Sequence, residues 1–335
     1  MAGSYAAGVT LRERCYNLGI FKTRHLNIPV ISVGNLTVGG TGKTPFVVAL
    51  AGRLSENLKV AVVSRGYRRE SSQEPLLVSD GERTLVSARE SGDEPYLIAR
   101  SLPGVGVAVG KDRYRAAELV AKKVGAQVVI LDDGFQNRSI KKDLELLLVD
   151  GQKGFGNNRL LPAGPLREPV EAAKRAHLVV LVKKGKRPVE EEVAERVGQI
   201  ATGIPVETVD MELSQLAKVD GSEGCDPESM RGKKAIAFCG IGNPQGFFRM
   251  LQEAGIELAR QLVFPDHHRY THEEVARLAE VSKGMGHIPM ITTAKDEINL
   301  PPPPHPQNLW IAKLSVKEVP STVLSAVEHL IQPGP

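Results

Sequence analysis

The chain has 335 residues, 41% of them hydrophobic and 24% charged, which is the composition of a folded globular protein with room for one large or two medium domains. Its formal net charge of +4 is mild, and no nucleic-acid partner is expected. No apolar run approaches the roughly 18 residues that a membrane-spanning helix needs, and three widely spaced cysteines predict neither a disulfide framework nor a zinc site, as in a reducing cytoplasm.

Positive charge is concentrated in the first 25 residues. We predict a basic N-terminal helix that can favour an anionic surface, although a solvated helix end that packs on the core explains the same charges. A secretory signal is not expected, because charged residues interrupt the apolar region that such a signal needs. The residues concerned are Arg12, Arg14, Lys22, Arg24 and His25, with Glu13 as the one acid.

From residue 29 to residue 184, short β-rich apolar runs alternate with helical periodicity. This alternation predicts an α/β fold in which a mostly parallel sheet has helices on both faces. The predicted strands are 30–33, 59–64, 105–109, 127–131, 144–149 and 177–182. The predicted helices are 45–55, 113–124 and 189–200, where apolar residues recur at intervals of three and four.

The segment 221–231 is polar and rich in turn-forming residues, which predicts a linker. A smaller α/β unit follows it. Its predicted strands are 234–239, 256–264, 289–292 and 309–314, and its predicted helices are 245–254, 271–282 and 322–331. The expected organisation is therefore a first domain over 1–220, a linker over 221–231 and a smaller α/β domain over 232–335.

A glycine-rich loop lies between the first predicted strand and the first predicted helix. The order of strand, loop and helix predicts a P-loop, in which backbone N–H groups and the helix N-terminus hold phosphates, a lysine bridges the β- and γ-phosphates and a threonine reaches Mg²⁺. Thr37 stands where the strict pattern has glycine, so the loop is a variant, and a merely tight glycine turn is the alternative. The predicted nucleotide-binding residues are Gly39, Gly40, Thr41, Gly42, Lys43 and Thr44.

The apolar strand 128–131 is followed by Asp132 and Asp133. An acid at the carboxyl end of a strand meets the metal in P-loop folds, although many other strands end in aspartate. Together with the loop, these residues predict that Asp132, Asp133 and Thr44 bind Mg²⁺. A GTPase would need Asn/Thr-Lys-x-Asp, whereas the segment 293–296 reads Thr-Ala-Lys-Asp, so ATP is the expected nucleotide.

Seven segments spread over almost the whole chain form a recognisable series. They are 32–45, 64–67, 92–95, 110–114, 132–136, 161–168 and 264–267. In sequence and order they resemble the tetraacyldisaccharide 4'-kinase family. The resemblance implies a P-loop domain and a smaller α/β domain with the active site between them. It also implies ATP-dependent phosphorylation of the 4'-hydroxyl of a tetraacylated glucosamine disaccharide 1-phosphate, a lipid A precursor, by a peripheral protein on the cytoplasmic face of the inner membrane.

The same resemblance implies roles for individual residues. Asp93 is the base that takes the acceptor's proton, assisted by His267, and Lys43 completes the catalytic set. Arginine matches phosphate oxygens, so Arg113 and Arg167 are expected to bind a phosphate of the nucleotide or of the lipid. The further residues carried over are Glu94 and Glu168 for the substrate, Gln136 for the nucleotide, and Tyr67 for the nucleotide or the sugar.

Other interpretations of these residues stay open. The acidic pair 93–94 can be ordinary acids at a helix N-terminus, and Arg113 and Arg167 can be surface arginines. The cluster 266–272 contains Asp266, His267, His268 and His272 and can be a metal site, although its spacing matches no closed pattern.

The chain departs from the family pattern at two places. Asn137 stands where the family commonly has histidine, so no imidazole titrates there. The N-terminal helix, which faces the membrane in the family, has only the thin apolar stripe of Leu11, Cys15 and Leu18, so weak attachment is expected.

Two other functions compete with a lipid kinase. A P-loop ATPase switch that acts on a protein partner explains Lys43, Thr44 and Asp133 but gives no reason for the segments 92–95 and 266–267. A kinase of small soluble metabolites would work without detergent or membrane.

Overall fold

The computed structural model describes residues 2–331, which form two α/β units. Unit 1 comprises Met1–Lys183, Pro188–Val209 and Glu318–Pro335. Unit 2 comprises Lys184–Arg187 and Asp210–Lys317. These bounds differ from the predicted ones, because the chain enters unit 2 before the segment 221–231 and returns to unit 1 for its last helix.

Unit 1 is built on a sheet whose strands are almost entirely buried. In chain order the strands are β1 (Val30–Gly34), β2 (Val60–Ser64), β3 (Leu76–Asp80), β4 (Gly106–Val109), β5 (Val128–Asp132), β6 (Leu144–Asp150) and β7 (Leu178–Lys184). Across the sheet the order is β3-β4-β2-β5-β1-β6-β7, with every pair parallel except β3 and β4. Because β1 and β5 are parallel neighbours, the loops that follow them meet at one edge.

The helices of unit 1 cover both faces of this sheet, which is why its strands are continuous apolar runs. They are α1 (Ala2–Asn17), α2 (Lys43–Ser55), α3 (Ala88–Ser91), α4 (Asp93–Ser101), α5 (Arg113–Val124) and α6 (Glu191–Ile200). α5 begins at Arg113 because the Asp112 side chain accepts hydrogen bonds from the backbone N–H groups of Tyr114 and Arg115. It ends at Gly125, whose φ of 66° is left-handed.

Unit 2 contributes a second group of strands. Its strands are β8 (Val206–Lys218), which begins in unit 1, β9 (Gly224–Cys225), β10 (Lys234–Cys239), β11 (Glu257–Val263), β12 (Met290–Thr293) and β13 (Leu309–Val316). The order is β11-β10-β12-β13-β8, with β8 antiparallel to β13 and to β9. The helices are α7 (Pro244–Glu253), α8 (His272–Gly284) and α9 (Ala294–Glu297), and α10 (Ser321–Ile331) returns to unit 1.

The predicted fold class is confirmed, and each predicted strand and helix is present, with bounds that shift by two residues or fewer. The predictions omit β3, β8, β9 and the short helices α3, α4 and α9. The segment 221–231, predicted as a linker, holds β9 and a turn of 3₁₀-helix within unit 2.

Candidate active site

The glycine-rich loop connects β1 to α2, as a P-loop does. Gly39 and Gly42 have φ values of 107° and 99°, which glycine adopts without strain. Gly42 directly precedes α2 and provides no side-chain cap, so the N–H groups of Lys43 and Thr44 lie at the end of the loop. An anion at this position gains both the free N–H groups and the positive end of the helix dipole.

Lys43, the first residue of α2, contacts the side-chain oxygen atoms of two other residues. Its Nζ donates to Asn35 Oδ1 at 2.9 Å and is 3.4 Å from Asp133 Oδ1. The fully buried Asn35 also donates to the hydroxyls of Thr41 and Thr37. The threonine that replaces the usual glycine therefore accepts a hydrogen bond from the side chain that holds Lys43. Asn35 is not among the site residues predicted from the sequence.

Asp133 follows β5 in an unusual backbone conformation. Its φ of 53° is rare for a residue other than glycine and marks a place that the surrounding structure must enforce. Arg167 Nη1 donates to both carboxylate oxygens, at 2.9 and 2.7 Å, and Lys43 adds a second positive charge. Burial acts to raise the pKa of Asp133, but Lys43 and Arg167 together hold that pKa below its ordinary value.

Asp132 is buried beneath this pair. Neither carboxylate oxygen makes a close hydrogen bond among residues 2–331, although the Ser64 hydroxyl lies near enough to act on the pKa of Asp132. Burial, together with the negative charges of Glu94 and Asp133, raises the pKa of Asp132 to about 7. A buried carboxylate in this state needs a proton or a cation. Mg²⁺ binds in proteins through one or two carboxylates and phosphate oxygens, so the donors of Asp132, Asp133 and Thr44 fit such an ion.

A second segment closes around the glycine-rich loop. The backbone N–H of Val38 donates to the Pro165 carbonyl and that of Arg167 to the Leu36 carbonyl, both at 2.8 Å. Gln136 donates to the Asn35 carbonyl at 2.8 Å and accepts from Arg167 at 3.4 Å. The structure thus brings the predicted residues Lys43, Asp133, Gln136 and Arg167 into one network.

Asp93 and Glu94 are the first two residues of α4. Glu94 lies close enough to Asp132 to act on the pKa of that residue, so it belongs to the same site. Gly92, with a φ of 92°, precedes them, and a Cβ atom there would lie 2.9 Å from the Tyr67 carbonyl. Glycine therefore lets the exposed Tyr67 and the start of α4 approach each other.

Arg113 begins α5 and is not a surface arginine. It is 5% exposed, and its guanidinium donates to the Gly110 carbonyl. Burial and, to a smaller extent, the charge of Arg65 lower the pKa of Arg113 to about 10, against the opposite effect of Asp133 and Asp132. A buried cation near these aspartates suits a bound phosphate.

Glu168 is also buried and has no exposed surface. Its carboxylate is ion-paired with Arg12 of α1 on one side and with Arg175 on the other. The expected substrate contact of Glu168 would require a change in these pairs. Asn137, the departure from the family pattern, accepts hydrogen bonds from the backbone and hydroxyl of Ser139 and so stabilises a turn.

His267 lies in unit 2, at the carboxyl edge of its sheet. Its φ is 63°, and its backbone N–H donates to the Gly240 carbonyl at 3.0 Å. Its Nε2 is 3.4 Å from Lys295 Nζ and 3.7 Å from Asp266 Oδ2. Among residues 2–331 no group of three or more histidine, cysteine or acidic side chains is arranged to hold a metal, which disfavours the metal-site interpretation of the segment 266–272.

The neighbouring side chains have structural roles. His268 stacks on Phe264 with ring centres 4.9 Å apart and places Nε2 3.1 Å from Glu274. The buried Asp296 accepts from the Gly240 N–H at 2.7 Å and from the Tyr270 hydroxyl at 2.9 Å. The Thr-Ala-Lys-Asp segment therefore supports the loop that holds His267.

The chain is similar to known proteins over most of its length. A family model described as tetraacyldisaccharide-1-P 4'-kinase matches residues 1–332. A tetraacyldisaccharide 4'-kinase of Geobacter metallireducens is 42% identical over 299 residues, which cover 89% of this chain and 86% of the relative. One of Halothermothrix orenii is 38% identical over 302 residues, which cover 87% of this chain and 79% of the relative.

A solved structure is also similar to this one. It is LpxK from Aquifex aeolicus, described as an "apo" form in complex with ATP. The TM-score is 0.78 at 35% sequence identity, and the match covers 99% of this chain and 97% of that chain.

Proposed function

Because this chain belongs to the tetraacyldisaccharide-1-P 4'-kinase family, we propose that it transfers the γ-phosphoryl group of ATP to the 4'-hydroxyl of a tetraacylated glucosamine disaccharide 1-phosphate, a lipid A precursor. The observation that carries the proposal is the ion pair between Asp133 and Lys43, at the start of α2. The buried Asp132 is the next residue to Asp133. The ATP named for the similar Aquifex aeolicus structure supports ATP as the nucleotide.

Nucleotide binding is assigned to the loop and the start of α2. Residues 39–44 are assigned to phosphate binding, although the Thr41 N–H donates to the Gly39 carbonyl in this structure, and Lys43 carries the charge that the β- and γ-phosphates need. When Mg²⁺ is bound, it neutralises charge on the transferring phosphoryl group. Asp132, Asp133 and Thr44 would hold it, since the two oxygens of Asp132 are buried and make no close hydrogen bond.

Proton removal from the acceptor is assigned to Asp93, with His267 as its assisting partner. Asp93 begins α4 next to Glu94, whose charge acts on Asp132, and this supports a place for Asp93 near the proposed metal ligands. In unit 2, the Gly240 loop and Lys295 position His267. The proposal thus gives nucleotide binding to unit 1 and the assisting imidazole to unit 2.

Substrate contacts are assigned on burial and charge. Arg113 is buried near Asp132 and Asp133, which supports contact with nucleotide phosphates rather than with the lipid. Arg167 keeps one quarter of its side chain exposed (26%) while it holds Asp133, so it can also meet a phosphate. Glu94, Gln136 and Tyr67 would complete the pocket.

Attachment to a membrane surface is assigned to the end of α1 and the residues after it. Among residues 2–331, no helix is long and apolar enough to cross a bilayer. However, Leu18, Ile20 and Phe21 are 75%, 64% and 46% exposed, beside the basic residues Lys22 and Arg24. Exposed apolar side chains next to cations favour an anionic lipid surface, so we propose peripheral binding to the cytoplasmic face of the inner membrane.

The test is transfer of label from radioactive ATP to a detergent-dispersed tetraacyldisaccharide 1-phosphate. Label should move into the lipid, and ATP consumption should depend on the acceptor. Lys43→Ala should nearly abolish transfer, by ~10²–10³, while Lys122→Ala on the exposed face of α5 should not. ATP turnover at full rate without acceptor, with no labelled lipid, would instead indicate an ATPase switch.

A further inference from the structure

α1 is joined to the active-site segment by three polar contacts. The Tyr5 hydroxyl donates to the Arg167 carbonyl at 3.0 Å. Arg12 pairs with Glu168, and Glu13 accepts from Arg175 at 3.0 Å. All of these residues belong to unit 1. The helix that carries the basic charge at the start of the chain is therefore fixed to the segment 167–168 and to Arg175.

The centre of these contacts is Glu168. It is 0% exposed, with Arg12 on one side and Arg175 2.5 Å away on the other. The Arg175 guanidinium also lies 4.8 Å from the centre of the Phe135 ring. A buried carboxylate that loses one of its partners is strongly disfavoured, because the remaining charge is left incompletely compensated. The position of α1 and the conformation around Glu168 therefore depend on each other.

The residue before Glu168 is the arginine that holds Asp133. The Arg167 side chain donates to both Asp133 oxygens, and its backbone N–H donates to Leu36 at the start of the glycine-rich loop. Its carbonyl accepts from Tyr5 of α1. Glu168 is joined to Arg167 by a peptide bond. A shift of α1 that moves Glu168 must therefore move the backbone of Arg167 and disturb the ion pair between Arg167 and Asp133.

We propose that Arg12, Glu168 and Arg175 are positioning residues. They couple the position of α1 to the position of the Arg167 side chain beside Asp133. The inference rests on the proposed kinase function and adds a route from the membrane-facing end of α1 to the phosphoryl-transfer site. The exposed apolar residues follow the part of α1 that contacts Glu168; they are Leu18, Ile20 and Phe21. Lipid contact and the ion pairs with Glu168 therefore use different parts of this region. Glu168 acts through Arg167 and does not touch substrate.

Arg12→Ala is the first test, because Arg12 is partly exposed (38%) and the chain should fold without it. The matched control is Arg14→Ala, which removes the same charge from an exposed position of α1. With detergent-dispersed acceptor, Arg12→Ala should lower kcat about tenfold or more and leave the KM for ATP within about twofold, because misplacement of a positioned group mainly affects the reacting geometry. Arg12→Lys should recover most of the activity, and Arg14→Ala should resemble wild type.

A double mutant separates positioning from direct contact. In an Arg167→Ala background, Arg12→Ala should change kcat by less than about twofold, since residues that act as a unit are non-additive. Losses that multiply, or an Arg12→Ala variant as active as the Arg14→Ala control, would overturn the proposal. If wild-type protein fails to label the lipid at all, the kinase proposal is at fault.

Hydrogen exchange tests the coupling between α1 and Arg167 without a measurement of activity. The Arg167 N–H that donates to Leu36 should exchange about tenfold faster in Arg12→Ala than in wild type or Arg14→Ala, because a local opening is easier once α1 is released. Equal protection of this amide in all three proteins would show that α1 and Arg167 are independent.

Discussion

Arg167 donates from one guanidinium nitrogen to both carboxylate oxygens of Asp133, at 2.9 and 2.7 Å. The pair joins the segment that closes over the glycine-rich loop to the residue that follows β5. Arg167 also compensates the negative charge of Asp133, which lies near the buried Asp132 and Glu94. The arginine is thus an electrostatic partner of the proposed metal site as well as a candidate phosphate ligand.

Lys43 carries the central charge of the proposed nucleotide site. Lys43→Ala should reduce phosphoryl transfer by ~10²–10³, since it removes one preorganised contact with developing negative charge. Thermal unfolding should show a folded protein, and Lys122→Ala should keep wild-type activity. Retention of more than about a tenth of the activity would be inconsistent with the role given to this lysine.

Asp132 should make the stability of the protein depend on pH. Burial and the charges of Glu94 and Asp133 raise the pKa of Asp132 from 3.8 to about 7, so the folded chain holds this proton more tightly than the unfolded chain does. The resulting stabilisation is complete below the unfolded pKa and is lost as the pH rises through the folded pKa. Relative to Asp132→Asn, the free energy of unfolding should fall by up to about 1.4 kcal/mol per pH unit in this window.

The measurement for Asp132 is urea unfolding without nucleotide at a series of pH values between the two pKa values. Comparison with Asp132→Asn removes the contributions that are common to both proteins. Parallel pH profiles for the two proteins would show that Asp132 is ionised throughout.

Membrane binding should depend on the exposed apolar residues after α1. Replacing Ile20 and Phe21 by serine should reduce co-flotation with anionic vesicles, because the substitution removes apolar surface that lipid would cover. Leu85→Ser, at a 40% exposed site elsewhere in unit 1, is the control. Added salt should release part of the wild-type protein. Unchanged flotation of the double variant would place the lipid contact elsewhere.

Asp93 and His267 should act as one catalytic unit. Asp93→Ala should lower kcat by ~10²–10⁴, as expected for loss of a general base, and His267→Ala somewhat less, with ATP binding little changed in both. The double mutant should be little worse than Asp93→Ala. His272→Ala, at the exposed start of α8, should be nearly neutral. Independent, multiplicative losses for Asp93 and His267 would reject the pair.

The fold could be predicted where local pattern and tertiary structure agree. The strand before Gly34 and the helix after Gly42 are visible because apolar runs, glycines and helical periodicity occur in the order that a P-loop needs. Strand β8 was missed although its apolar residues alternate in places, because exposed and charged residues interrupt the pattern. Short helices such as α4 are too brief for periodicity to identify them.

The site was harder to predict because its contacts join distant segments. Nothing local indicates that Asn35 would hold Lys43, or that Arg113 would be buried rather than exposed. Glu168 shows the limit most clearly, since its two partners lie 156 and 7 residues away in the chain. Only the folded structure reveals that its carboxylate is enclosed by both arginines.

The position of the transferred phosphate tests the central claim most directly. Wild-type protein is incubated with ATP, Mg²⁺ and detergent-dispersed tetraacyldisaccharide 1-phosphate, and the lipid product is analysed by phosphorus–proton correlation NMR. The account predicts a new phosphate coupled to the proton at the 4' carbon of the distal glucosamine, and about a hundredfold less of this product or lower with Lys43→Ala. A phosphate on another hydroxyl, or ATP consumed with only inorganic phosphate released, would contradict it.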